Sequence, residues 1–169
     1  MRRGVIASTA ALVTAGGIAA GVVNSAGADQ PSKTKVECTV HLAAQTSFPP
    51  PPNQRATDYG QVTCNGPFGF GSRYDTFVDH PQSQTEGFAN LEFKDFFDTG
   101  RIDGTWLVTY LATPQPDGSV AVDYKITVKF KGGTGAFKNA KGSGSGTGHM
   151  TDFTIPRATF KFAATLTCI

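Results

Sequence analysis

The side chains that could transfer protons or bind metals are scattered along this sequence. The three histidines, His41, His80 and His149, lack the paired spacing of a metal site. No two acids stand out as the general acid and the nucleophile of a glycosidase. The acids considered for those roles are Glu86, Glu92, Asp95 and Asp103. The sequence therefore predicts no metal site, and it leaves the catalytic residues and enzymatic activity unassigned.

Nucleotide-binding and hydrolase motifs are also missing from the sequence. No G-x-x-x-x-G-K-[ST] phosphate-binding loop occurs, and the glycines after Gly142 do not have the spacing of a dinucleotide-binding loop. The neighbouring serines alternate with glycine in the wrong phase for a G-x-S-x-G nucleophile elbow. We therefore expect no cofactor.

The three cysteines, Cys38, Cys64 and Cys168, leave one thiol over if a disulfide forms. A hairpin around the proline run, Pro49 to Pro52, that places Ala44 opposite Asp58 also places Cys38 opposite Cys64. This shared register favours a Cys38–Cys64 bridge, with Cys168 either buried or paired between chains. A bridge from Cys38 to Cys168 is the alternative, because closing a barrel sets its last strand beside its first.

A run of alternating glycines is the feature that hints at a cavity. From Gly142 to Gly148, every second residue is glycine and the residues between are serine or threonine. A strand without side chains on one face leaves room above it, either for bulky neighbouring side chains or for a ligand. The residues predicted to line a pocket for a small apolar molecule are Trp106, Tyr110, Tyr124, Gly144 and Gly146.

The first 28 residues have the pattern of an export signal. A basic start is followed by an uncharged run from Val5 to Val23, and Ala26-Gly27-Ala28 suits cleavage before Asp29. A retained membrane anchor is the alternative, since the run approaches the length needed to span a bilayer. We expect cleavage, a secreted protein without a stable membrane anchor, and a bacterial source, because the run is rich in Ala and Gly.

Cleavage would leave a neutral chain large enough for one domain. Removing 28 of the 169 residues leaves 141, and the net charge of +2 comes from Arg2 and Arg3. A neutral domain argues against nucleic acid or an anionic membrane as a partner. We predict a flexible leader over residues 29–33 and a single domain over residues 34–169.

Alternating apolar and polar residues predict β-strands along this domain. The clearest strands are Thr34 to Gln45, Val120 to Phe130 and Arg157 to Cys168. Glu86 to Phe97 suits a strand or a helix. Including a strand near Ser143 to Phe153, we count eight. The predicted class is all-β, an eight-stranded antiparallel β-barrel, with a β-sandwich as the runner-up.

The segment after the Val120 strand has a distinctive pattern. Residues 132–142 read G-G-T-G-A-F-K-N-A-K-G. The glycines allow positive φ and close backbone approach, and Phe137 is a hydrophobic anchor. A helical turn over Phe137 to Lys141, ended by Gly142, is compatible with this pattern. The structural motif therefore consists of Gly132, Gly133, Gly135, Phe137, Ala140 and Gly142.

This segment resembles the G-G-T-G-x-F-x-x-A-x-G segment of the superfamily that includes allene oxide cyclases and dirigent proteins. The resemblance covers the last third of the chain, from Val120. It implies an eight-stranded antiparallel barrel in which the segment links two late strands and packs its aromatic residue against the barrel end. The functional acidic and basic residues of these families match no position that we can align, so none is carried over.

The resemblance implies chemistry without a cofactor, because these enzymes shape a hydrophobic cavity around a reactive substrate. Three functions stay open. The chain is a secreted protein that binds a small apolar ligand, a cofactor-free isomerase or cyclase, or a structural or interaction protein of the cell exterior. An ionisable group inside the barrel would favour the isomerase or cyclase. An interior of apolar side chains alone would exclude acid–base catalysis. A homo-oligomer is compatible with the fold analogy.

Overall fold

The computed structural model describes residues 32–44, 54–66, 68–152 and 157–168. These residues form eight antiparallel strands that close into a barrel in sequence order. The strands are β1 (Ser32–Ala44), β2 (Arg55–Cys64), β3 (Gly69–Pro81), β4 (Glu86–Phe97), β5 (Gly100–Pro114), β6 (Val120–Gly133), β7 (Lys141–Met150) and β8 (Arg157–Cys168). The predicted barrel is confirmed, and the sandwich alternative is wrong because β1 pairs with β8 along twelve residues.

The segment that suited a helix or a strand forms β4. Its apolar residues Leu91, Phe93 and Phe97 are buried at alternate positions, as is Asp95, and the residues between these positions are exposed. Both edges of this segment are hydrogen-bonded, to β3 on one side and to β5 on the other. Strand pairing and burial with period two therefore favour the strand over the helical alternative.

Aromatic rings fill much of the barrel interior. Trp106 is 2% exposed, and its ring lies 5.2 Å from Phe160 and 5.7 Å from Phe162, between ring centroids. Glycines make room for such rings, since a side chain added at Gly148 would overlap the ring of Phe160. The inward glycines of β7 therefore permit dense aromatic packing from β8.

The glycine-rich segment between β6 and β7 packs against one end of the barrel. Phe137 stacks on Phe68 with ring centroids 5.2 Å apart and contacts Phe97 at 5.6 Å. A single 3₁₀ turn spans Gly135–Phe137 and begins at a positive φ of 58°. The predicted turn over Phe137 to Lys141 is therefore wrong in position, because Lys141 already belongs to β7.

The disulfide joins Cys38 of β1 to Cys64 of β2. The two residues are cross-strand partners, and Ala44 is the partner of Asp58, so the predicted register is confirmed. The backbone of Cys168 pairs with Ser32. The alternative bridge to Cys168 is therefore wrong. The side chain of Cys168 lies outside the described part of the structure, so its predicted burial or pairing stays a prediction.

Removing this disulfide should lower the stability of the barrel measurably. The bridge closes a loop between residues 26 positions apart, and restricting such a loop in the unfolded chain stabilises a fold by about 3 kcal/mol. We expect the Cys38→Ala/Cys64→Ala variant to lose free energy of unfolding of that order in urea titrations. A reducing agent should weaken the wild type and leave the variant unchanged, and equal stability of the two proteins would contradict the prediction.

Several predicted features lie at or beyond the edges of the described chain. The predicted export signal, residues 1–28, and the whole proline run, residues 49–52, lie outside the described residues. The predicted leader overlaps the barrel, because Ser32 and Lys33 pair with Cys168 and Thr167. Within the described ranges, no helix has the length and hydropathy needed to cross a membrane.

Candidate functional site

A fully buried arginine lies inside the barrel. Arg73 of β3 and Asp95 of β4 are cross-strand partners. Arg73 donates hydrogen bonds from Nε to Asp95 Oδ1 at 2.7 Å and from Nη2 to Oδ2 at 3.1 Å. Its guanidinium carbon lies 4.2 Å from the ring centroid of Phe93 and 4.1 Å from that of Trp106. One carboxylate and two aromatic rings thus stabilise the buried cation.

Asp75 lies two residues beyond Arg73 on the same face of β3, and its side chain is fully buried. Neither of its carboxyl oxygens has a hydrogen-bond partner among the described residues. Its Oδ1 is 3.5 Å from Nε of Arg73, which makes its short bond to Asp95 instead. Burial raises the pKa of Asp75 to about 7; Arg73 opposes this rise, and Asp95 and Asp58 add to it. Asp75 is therefore partly protonated at neutral pH.

A second inward-facing aspartate, Asp58 of β2, lies next to Asp75. It is the cross-strand partner of Asp75, and the register that aligns the disulfide also turns Asp58 inward. Its Oδ1 is buried without a hydrogen-bond partner in the described structure. Burial raises the pKa of Asp58 to about 6. Two neighbouring carboxyls inside the barrel therefore titrate near neutral pH.

Two tyrosines and a third aspartate complete this group. Tyr110 and Tyr124 are cross-strand partners whose ring centroids are 6.5 Å apart. The hydroxyl of Tyr110 donates a hydrogen bond of 3.4 Å to Oδ2 of Asp79. Burial, with Asp79, raises the pKa of Tyr110 to about 12, and burial, with Asp58, also raises the pKa of Tyr124. Both phenols therefore stay protonated and can donate hydrogen bonds.

We define the lumenal cluster as Asp58, Asp75, Asp79, Tyr110 and Tyr124. Asp75 is at its fully buried end, and the other four residues are half-buried. Within the described ranges, no three His, Cys, Asp or Glu side chains are arranged to hold a metal ion. The cluster combines carboxyls that accept hydrogen bonds with phenols that donate them.

The predicted pocket residues fall into two places. Tyr110 and Tyr124 belong to the lumenal cluster, and Phe160 connects Tyr124 to Trp106, with ring-centroid distances of 5.1 Å and 5.2 Å. The other two lie on β7, where Gly144 pairs with Ala164 and Gly146 pairs with Phe162. A side chain at Gly146 would lie 2.7 Å from Cβ of Phe162. Contact of a ligand with any of the five residues stays a prediction.

Most of the charged residues inside the barrel were not predicted from the sequence. Asp95 was one of four unassigned acids, and Arg73 and Asp75 had no predicted role. The available signal was the phase of β3, because Arg73 and Asp75 lie on the same face of the strand as the apolar Phe77. For β2, the hairpin register already placed Asp58 on the face that carries Cys64.

No protein-family profile, curated protein or solved structure matches this chain. The function is therefore inferred from the geometry of the barrel interior. Its central feature is a buried carboxyl, that of Asp75, which has no hydrogen-bond partner among the described residues and adjoins the half-buried Asp58.

Proposed function

We propose that this protein binds a small, largely apolar molecule inside the barrel, with the polar group of that molecule at the lumenal cluster. The observation that carries this proposal is the fully buried Asp75 carboxyl without a hydrogen-bond partner among the described residues. Leaving such a group unpaired destabilises a fold, and a ligand that donates hydrogen bonds would offset that cost. Neighbouring rings such as Phe160 supply apolar contact.

Membership of the allene oxide cyclase and dirigent superfamily is part of this proposal. It is supported by the eight-stranded barrel and by the place of residues 132–142 between two late strands. The buried ring of Phe137 at the barrel end fits the same resemblance. Secretion is proposed with it, because the Cys38–Cys64 disulfide suits an oxidising compartment.

Fluorescence of Trp106 provides a direct test of binding, because it is the single tryptophan of the chain. N-phenyl-1-naphthylamine, an apolar probe that is uncharged at neutral pH, accepts energy from tryptophan. We expect this probe to quench Trp106 emission saturably. Tyr110→Ala should weaken binding of the probe about tenfold, because it removes an aromatic ring that would contact the probe. Leu111→Ala is the control, because Leu111 is adjacent to Tyr110 in β5 but its side chain is exposed. This variant should leave binding of the probe unchanged. Quenching that does not saturate, or equal effects of the two variants, would overturn the proposal.

A cofactor-free isomerase or cyclase is the second candidate, and the titrating carboxyls inside the barrel favour it. Groups with a pKa near the working pH both accept and release protons effectively, as expected for Asp58 and Asp75. Turnover of fatty-acid epoxides or phenols by the wild type, lost in Asp75→Asn, would support this candidate. Binding of such compounds without turnover would leave the protein as a carrier.

A further inference from the structure

The barrel interior contains more acidic than basic groups. On the described strands, the charged side chains in the inward phase are four carboxyls and one guanidinium. The guanidinium of Arg73 makes both of its short hydrogen bonds to Asp95. Asp58 and Asp79 form no ion pair with an arginine or lysine in the described structure, and Asp75 has only the 3.5 Å contact between its Oδ1 and Nε of Arg73, whose short bond goes to Asp95.

The unpaired oxygen atoms of the lumenal cluster suit one kind of donor. Oδ1 of Asp58 and both carboxyl oxygens of Asp75 are buried without hydrogen-bond partners in the described residues. These are three acceptors on two neighbouring side chains. A primary ammonium group has three N–H donors and a positive charge, whereas a hydroxyl group has one donor and no charge. The acceptors and the excess of negative charge therefore match the same chemical group.

Aromatic rings in the lumenal cluster strengthen the match, because Tyr124 is close enough to Asp58 for the two to interact electrostatically. Tyr110 and Tyr124 form an edge-to-face pair, and the ring of Phe160 lies 5.1 Å from that of Tyr124. The faces of aromatic rings attract organic cations. A ligand carboxylate would instead be repelled by Asp58 and Asp75, so the same site would select against fatty acids.

We propose that the ligand is an apolar primary amine whose ammonium group binds Asp58 and Asp75 beside the tyrosine rings. This inference rests on the proposed function, because it specifies the chemical class of the molecule bound in the barrel. Binding of an ammonium group stabilises the ionised carboxyls, so the cluster should release protons as the amine binds. A neutral ligand would not produce this release.

The test compares three probes that share one apolar skeleton: 3-phenylpropylamine, 3-phenylpropanol and 3-phenylpropanoate. Calorimetry of the full chain at pH 7, in two buffers with different ionisation enthalpies, measures both affinity and proton release. We expect the amine to bind at least tenfold more tightly than the alcohol, the carboxylate not to bind, and protons to be released with the amine alone.

Variants connect this preference to particular carboxyls. Asp75→Asn and Asp58→Asn should reduce the preference for the amine over the alcohol to less than threefold, and Asp75→Asn should reduce proton release. Glu92→Gln is the control, because Glu92 is an exposed acid of β4, and it should leave both quantities unchanged. Circular dichroism checks that each variant remains folded.

The possible outcomes separate this inference from the proposed function. Equal affinity for the amine and the alcohol would overturn the amine preference and leave binding of apolar molecules intact. Binding of the naphthylamine probe without binding of 3-phenylpropylamine would likewise overturn the amine preference and leave the proposed binding of apolar molecules intact. If neither the three probes nor the naphthylamine bind, both proposals are wrong. An amine preference that survives both aspartate substitutions would also overturn the inference, because the charge would then be recognised elsewhere.

Discussion

Replacing Arg73 with methionine should lower the free energy of unfolding by about 4 kcal/mol, because it leaves a buried carboxylate without its cation. Arg73 and Asp95 are both nearly inaccessible to solvent and are joined by two hydrogen bonds. The substitution also removes the guanidinium from between Phe93 and Trp106. Urea titration at pH 7 measures the loss.

A second substitution distinguishes the ion pair from simple packing. In Arg73→Met/Asp95→Leu, neither charge remains, and replacing a complete buried ion pair with apolar side chains is often neutral. We therefore expect the double variant to recover most of the stability lost in Arg73→Met. Arg73→Lys should recover less, because an ammonium group cannot form the bidentate pair or stack as a plane between two rings. A free energy of unfolding for Arg73→Met within about 1 kcal/mol of the wild-type value would contradict this prediction.

The barrel was predictable because most strands carry their own pattern. In β6, the buried Val122, Ile126 and Val128 alternate with exposed residues, which fixes both the strand and its inward face. The pairing of Cys38 with Cys64 followed from the register of a single hairpin. Periodicity and hairpin geometry are local properties, so the sequence contains them directly.

The charged interior was harder to predict because β3 carries conflicting signals. Its aromatic residues Phe70 and Tyr74 have the outward phase, whereas Phe77 has the inward phase. Phe70 is 62% exposed, so the assumption that large aromatic residues face the core fails here. With the phase ambiguous, the sequence alone does not assign Arg73 and Asp75 to either face of the strand. Their burial is decided by pairing with β2 and β4, which involves residues distant in sequence.

The wild type should lose stability as the pH rises from about 4 to about 8, and Asp75→Asn should remove much of that loss. Asp75 has a pKa of 3.8 in the unfolded chain and about 7 in the folded protein. Between these values the folded state holds a proton that the unfolded state has released, so a rising pH favours unfolding. A shift of this size corresponds to stability on the order of 4 kcal/mol.

Comparing Asp75→Asn with the wild type tests whether the Asp75 carboxyl causes this pH dependence of stability. Near pH 4.5 the variant and the wild type should have similar stability, because the folded wild type then holds Asp75 in its neutral form. At pH 8 the variant should be the more stable protein, because it has no buried carboxylate to keep ionised. Urea titrations from pH 4.5 to 8 measure the difference, with Glu92→Gln as the exposed control. Parallel profiles for the wild type and Asp75→Asn would contradict the prediction. A variant that is more stable at pH 8 but has lost the amine preference would assign the Asp75 carboxyl to ligand binding rather than to folding.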